Sequence, residues 1–141
     1  MRDKRFILDP NMYISYFISR SQNSLAELAI KQKLELVICD ELIVEFKRVL
    51  GYPRLAKYKI DLKQAVRFVL TVGTIHSLKY PIRRYIPKDQ NDDYLIALAL
   101  QTSSGYITSG GDDILSEKEN LERRYKKLTI LTMAEFEQMF V

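Results

Sequence analysis

Residues 89–115 read Asp-Gln-Asn-Asp-Asp-Tyr-Leu-Ile-Ala-Leu-Ala-Leu-Gln-Thr-Ser-Ser-Gly-Tyr-Ile-Thr-Ser-Gly-Gly-Asp-Asp-Ile-Leu, with no charge between Tyr94 and Gly111. Asp89 or Asn91 can cap a helix running from about Asp92 to Thr102. Its Leu95–Leu100 run is apolar all round, as in a helix buried on every side. Gly105 is the expected C-cap, Tyr106-Ile107-Thr108 a strand, and Gly110-Gly111 a sharp turn into a short helix starting at Asp112-Asp113. A buried helix feeding a short strand is one unit of an α/β domain, here with acids at both ends.

The alternation extends in both directions. Phe6-Ile7-Leu8 predicts a buried strand with Asp9 at its carboxyl end. Pro10 then opens a helix carrying Met12, Ile14, Tyr16, Phe17 and Ile18. A second helix presents Leu25, Leu28 and Ala29 on one face, and Leu36-Val37-Ile38-Cys39 is a second strand. Asp40 caps a helix to Leu50 whose core face is Leu42, Ile43, Phe46, Val49 and Leu50. At roughly 100° per residue, Glu45 falls at the border of that face. Gly51-Tyr52-Pro53 ends this helix, and a short basic segment leads to Asp61, the start of a helix that Gly73 closes. Thr74-Ile75-His76 reads as a strand and Tyr80–Pro87 as extended or loop. Beyond the opening stretch come a charged helix around Glu117–Lys127 and a strand over Leu128–Leu131. A terminal helix follows, with the capping box Thr132/Glu135. The pattern predicts an α/β domain on a mostly parallel sheet, a single domain over residues 1–141.

Composition narrows the function. No apolar run approaches the roughly 18–20 residues of a membrane span and no signal-peptide pattern precedes Phe6, so no membrane role is expected. One cysteine, Cys39, fits a reducing, cytoplasmic setting, and with one histidine, His76, it leaves no His/Cys zinc cluster. The net charge of +4 conceals a partition. From Lys47 to Lys88 there are eleven Lys and Arg against one acid, Asp61, with Tyr52, Tyr58, Tyr80 and Tyr85 interleaved. Such a surface suits a polyanion, and Arg54, Lys57, Arg83, Arg84 and Lys88 are candidate RNA contacts.

Each acid has an ordinary reading as a cap or a first-turn residue favoured by the helix dipole. Asp9 differs, since an Asp directly after a buried strand needs a partner for its charge. In a parallel sheet, sites form at the carboxyl ends of strands, which places Asp9, Asp112 and Asp113 on one rim. The loop before the apolar helix can bring Asp92 to the same rim. Three or four carboxylates without His or Cys make an oxygen-only site suited to Mg²⁺ or Mn²⁺. Metal-assisted phosphodiester hydrolysis uses that chemistry, and a basic surface beside it would hold the phosphate backbone.

Four blocks then carry a family resemblance: Ile-Leu-Asp-Pro-Asn at 7–11, Asp40–Leu50 with Glu45, Lys88–Asp93 followed by Leu95–Ala99, and Ser109–Leu115. In order and spacing they resemble the PIN-domain proteins, close to the prokaryotic PIN-family toxins of toxin–antitoxin systems. The resemblance implies a three-layer α/β/α sandwich and a Mg²⁺- or Mn²⁺-dependent endoribonuclease. It also implies a homodimer neutralised by a cognate antitoxin. By position, Asp9, Glu45 and Asp92 would be catalytic and bind metal; Asn11 and Ser109 would orient ligands or water; and Asp93 or Asp89 would stand behind them. Two departures are visible. Gly111 stands where the family carries a fourth acid, leaving Asp112 as the substitute metal ligand and Asp113 as a helix cap. Pro10 replaces a threonine. The competing reading is therefore a catalytically impaired domain that binds RNA or a protein partner. A phosphotransfer receiver fits less well, because Asp-Pro-Asn lacks the two adjacent acids such domains carry after the first strand. Met12, Tyr13, Tyr16 and Phe17 are candidates for a dimer or antitoxin face.

Overall fold

A computed structural model describes residues 4–87 and 90–141. Five strands, β1 (Arg5–Leu8), β2 (Glu35–Ile38), β3 (Gly73–Ile75), β4 (Tyr106–Thr108) and β5 (Thr129–Leu131), form one sheet in the order β3-β2-β1-β4-β5. Every pairing is parallel, with Phe6 opposite Leu36 on one side and Tyr106 on the other. The central strands read as continuous apolar runs because both their faces are covered. Phe6, Ile7, Leu8, Leu36, Val37, Ile38 and Ile107 are each at most 1% exposed. Winding goes one way from β1 through β3 and the other way from β4 to β5. Right-handed crossovers therefore put the connecting helices on opposite faces, giving the three-layer α/β/α sandwich.

The connections are α1 (Pro10–Ile18), α2 (Gln22–Gln32), α3 (Asp40–Leu50), α4 (Leu62–Val72), α5 (Asp93–Thr102), α6 (Asp112–Ser116) and α7 (Lys118–Arg124), and α8 (Met133–Gln138) closes the chain. Asp9 caps α1 and Asp61 caps α4 through side-chain bonds to Met12 N and Gln64 N, and the capping box of Thr132 and Glu135 is formed. None of the helices among the described residues is long and apolar enough to cross a membrane.

The structure departs from the sequence reading in several places. Cys39 is the N-cap of α3 and Asp40 its first residue. The basic segment after Pro53 is a 3₁₀ helix, Pro53–Tyr58, and β3 begins one residue early, at Gly73. α5 ends at Ser103, with φ of 55°, rather than at Gly105. There Ser104 N donates to Ala99 O at 2.9 Å, the 6→1 bond of a Schellman ending, which a non-glycine left-handed residue here supports. Gly111, not Asp113, is the N-cap of α6, and no described glycine has positive φ, so Gly110-Gly111 is not the glycine-dependent turn its sequence suggests. Met12, Tyr13 and Tyr16 are buried and Phe17 packs against Phe46 and Phe68, so this face of α1 is core rather than a docking surface.

Candidate active site

The strand order reverses between β1 and β4, and Asp9 and Ser109 stand side by side just past their carboxyl ends. Asp9 N donates to Thr108 O at 3.0 Å and Ser109 N to Leu131 O at 2.9 Å, so both residues prolong the ladder. The Asp9 side chain is 6% exposed. It accepts from Met12 N at 3.0 Å and from Ser109 Oγ at 2.5 Å, while Ser109 Oγ itself accepts from Gly111 N at 3.0 Å. Burial raises the Asp9 carboxyl above its ordinary range; the Ser109 hydroxyl and the backbone N–H groups of Met12, Asn11 and Gly110 pull it back. Asp9 is thus a buried carboxylate already seated in a ring of donors.

Two further predicted ligands sit around the same rim. Glu45 lies at the core–solvent border of α3, as the helical spacing predicts, with both oxygens engaged by Arg48 at 2.5 and 3.2 Å. Asp92 is the last residue of a 3₁₀ turn, Gln90–Asp92, that leads into α5. Tyr94, the second residue of α5, lies on this side of the fold with Glu45 and Asn91. Burial first, and then the charges of Cys39, Glu45, Asp9 and Asp92, hold its phenol far above the ordinary range. A surface pocket is lined by Asp40, Glu41, Val44, Glu45, Asn91 and Tyr94. Among the described residues, no three of His, Cys, Asp and Glu stand close enough together to hold a metal ion as they are placed. The candidate donors are all oxygen, the type Mg²⁺ and Mn²⁺ prefer, and among the described residues the buried Tyr94 hydroxyl has no hydrogen-bond partner.

The remaining candidates divide. Asp93 is 2% exposed and is turned to the fold: Oδ2 accepts from Arg84 Nε at 2.9 Å, and Oδ1 accepts from Tyr85 N at 2.9 Å and Ile86 N at 2.8 Å. Asn11 is exposed in the first turn of α1, Asp112 is exposed at the first position of α6, and Asp113 is half-buried beside it. Of the basic candidates, Arg54 and Lys57 are exposed and lie over the rings of Tyr52 and Tyr58 at 5.5 and 5.2 Å. They follow α3, whose eleven residues carry the chain roughly 15 Å from the rim. Arg83 is exposed, and Arg84 holds Asp93 and Pro87 O while more than half its side chain stays in solvent. Lys88 and Asp89 lie outside the described residues. His76 directly follows β3, its N–H donating to Ile38 O, and its side chain pairs with Glu35 at 3.0 Å.

Sequence reasoning missed Tyr94 and Arg48. Arg48 could have been found from its i,i+3 spacing to Glu45. Tyr94 is the one polar group in the run from Tyr94 to Leu100, directly after the acids. The larger cavity, about 510 Å³, lies at the opposite edge between the end of α5 and the starts of β4 and β5. No acid lines it, so it has no part in this chemistry.

Residues 5–111 match the family model described as a PIN domain, a span that includes Asp9, Glu45 and Asp92 and ends at Gly111. No curated protein matches the chain. Among solved structures, the chain is similar to one in the crystal structure of VapBC2 from Rickettsia felis bound to a DNA fragment from their promoter. The TM-score is 0.55 at 14% identity, covering 91% of this chain and 98% of that one. At that identity the likeness is one of fold.

Proposed function

This chain belongs to the PIN-domain family, and on that premise we propose that it is a divalent-metal-dependent endoribonuclease, the toxin of a toxin–antitoxin pair. The observation that carries the reading is the buried Asp9 carboxylate at the sheet's switch point, seated on Met12 N and Ser109 Oγ. Asp9, Glu45 and Asp92 would hold Mg²⁺ or Mn²⁺, with exposed Asp112 the carboxylate available beside Gly111. The ion, when bound, supplies an activated water and neutralises charge on the leaving oxygen. Ser109 fixes Asp9 and the Gly110-Gly111 segment to each other, and Asn11 is exposed at the rim where a ligand or water can be oriented. Arg54, Lys57 and Arg83 would attract the RNA backbone, and Arg84 would do so with the part of its side chain that stays in solvent. An antitoxin or a second copy of the chain would dock elsewhere than on Met12, Tyr13 and Tyr16, which are buried.

The test is RNA cleavage by purified protein in Mg²⁺ or Mn²⁺, with EDTA as control. Asp9→Asn and Asp92→Asn should each abolish cleavage; if both cut at the unmodified rate, the assigned site is wrong. A second reading, an RNA-binding domain without turnover, is favoured by Gly111 and by the Arg48 guanidinium seated on Glu45. It predicts RNA binding that weakens steeply with salt and no metal-dependent cleavage.

A further inference from the structure

Tyr80 is the one exposed aromatic ring among the described residues; every other tyrosine and phenylalanine there is buried or half-buried. It is 63% exposed, yet it is held. Its hydroxyl donates to Glu41 Oε2 at 2.5 Å. The backbone of Lys79, directly before it, is clasped by the Gln101 side chain, whose Oε1 accepts from Lys79 N at 2.8 Å and whose Nε2 donates to Lys79 O at 2.9 Å. The ring is thus pinned at its tip by α3 and at its base by α5, while most of it stays in solvent. A ring left in water stabilises the fold little, but one fixed in advance loses less freedom when a ligand is laid on it.

Glu41 also sets where the ring stands. It and Glu45 lie one turn apart on α3 and line the same surface pocket, together with Asp40 and with Val44, whose apolar side chain is 66% exposed. Three carboxylates on this wall repel a phosphate, so the part of a nucleotide that suits it is the uncharged base. Lys79 and Arg83, both exposed and on either side of Tyr80 in the chain, supply the charge that the phosphates require.

We infer that Tyr80 is a base-stacking residue: one base of a single-stranded RNA lies on its ring beside Glu41 and Val44, and the flanking phosphates meet Lys79 and Arg83. This rests on the RNA-binding reading given above and needs no bound cation. Every base has a flat π-face, so stacking here adds affinity without reading sequence.

The experiment follows the fluorescence anisotropy of a short labelled single-stranded RNA, in EDTA so that no cleavage intervenes. A strand of the same length made of abasic residues is the control. Tyr80→Ala should weaken Kd for the base-bearing strand about 5- to 150-fold, and bind the abasic strand as the unmodified protein does. The slope of log Kd against log salt should not change, because no charge is altered. Tyr80→Phe, which keeps the ring, should stay within about threefold of the unmodified protein. Equal weakening on both strands assigns the loss to the fold and overturns the inference. So does a Tyr80→Phe variant as weak as the alanine one, which makes the hydroxyl and not the ring the contact. An unchanged Kd for Tyr80→Ala also overturns it, and leaves the ring to a protein partner. If the unmodified protein binds neither strand, the RNA reading itself fails, and the inference with it.

Discussion

Replacing Asp93 with alanine removes an acceptor shared by three donors, and the structure separates what each is worth. Oδ1 holds the backbone N–H groups of Tyr85 and Ile86, in a segment with no helix or strand of its own to satisfy them. Ile86 is fully buried, so truncation strands at least one donor out of water at about 1–3 kcal/mol, and a second, partly buried one at somewhat less. Oδ2 holds Arg84, whose side chain is 59% exposed although Asp93 is buried, and with the cation in solvent the pair contributes about 1 kcal/mol. Asp93→Ala should therefore cost about 3–4 kcal/mol, lowering Tm by roughly 10–15 °C in a chain of this size. Asp93→Asn keeps an oxygen for both backbone donors but turns an NH2 toward the Arg84 guanidinium, losing the ion pair and its hydrogen bond, so it should cost about 1–2 kcal/mol, and Arg84→Ala about 1 kcal/mol. Urea unfolding in EDTA measures all three. If Arg84→Ala is as damaging as Asp93→Ala, the ion pair and not the backbone clasp holds this segment, and the reasoning fails. It fails equally if Asp93→Asn matches alanine.

Three further outcomes are expected. Because burial raises the Asp9 carboxyl, the folded protein binds a proton more readily than the unfolded chain, so ion-free stability is lost as pH rises from the ordinary carboxylate value of 3.8 through the raised one. Thermal melts in EDTA should accordingly show Asp9→Asn gaining on the unmodified protein across that rise; a difference that stays flat with pH would contradict it. Gly73→Ala brings a Cβ to 2.9 Å from the Ile38 side chain and from Val69 O, and should cost about 1–3 kcal/mol in urea unfolding. Gly111→Asp should leave stability within about 0.5 kcal/mol or raise it, while tightening Mn²⁺ binding in a direct titration.

Sequence pattern revealed the sheet because parallel strands buried on both faces leave unbroken apolar runs such as Phe6–Leu8 and Leu36–Ile38, each followed by a cap. It revealed Asp9 for the same reason, since a charge directly after such a strand needs partners. The end of α5 was not legible: glycine at 105 is the better left-handed residue by propensity, and the bond from Ser104 N to Ala99 O overrides it two residues earlier. Neither was the difference between Asp92 and Asp93. Adjacent helix-start acids look alike in a sequence, but Asp92 ends the 3₁₀ turn ahead of α5 while Asp93, the first residue of α5, is clasped to the Arg84–Ile86 segment. The face of α1 was misread because Met12, Tyr13 and Tyr16 are as apolar in a core as at an interface, and only packing distinguishes the two.

The absent fourth acid follows from neither backbone nor space. Gly111 has φ of −77° and ψ of 132°, which any residue adopts, and a Cβ there would meet only Ser109 Oγ at 3.4 Å. As the N-cap of α6, position 111 even favours aspartate. The rim is held without that carboxylate because the Ser109 hydroxyl joins Asp9 to Gly111 N, so loss of the acid bears on the ion and not on the fold. The same accounting separates the proposed ligands. Asp9 is fixed by donors from its own helix start and from β4's end, and it can meet an ion without moving. Glu45 is held by the guanidinium of Arg48, mostly in solvent, and can be drawn away at little cost. An ion entering this rim would therefore find one carboxylate preorganised and one recruitable. On this proposal its affinity depends chiefly on the Glu45–Arg48 exchange and on the carboxylate that position 111 does not supply.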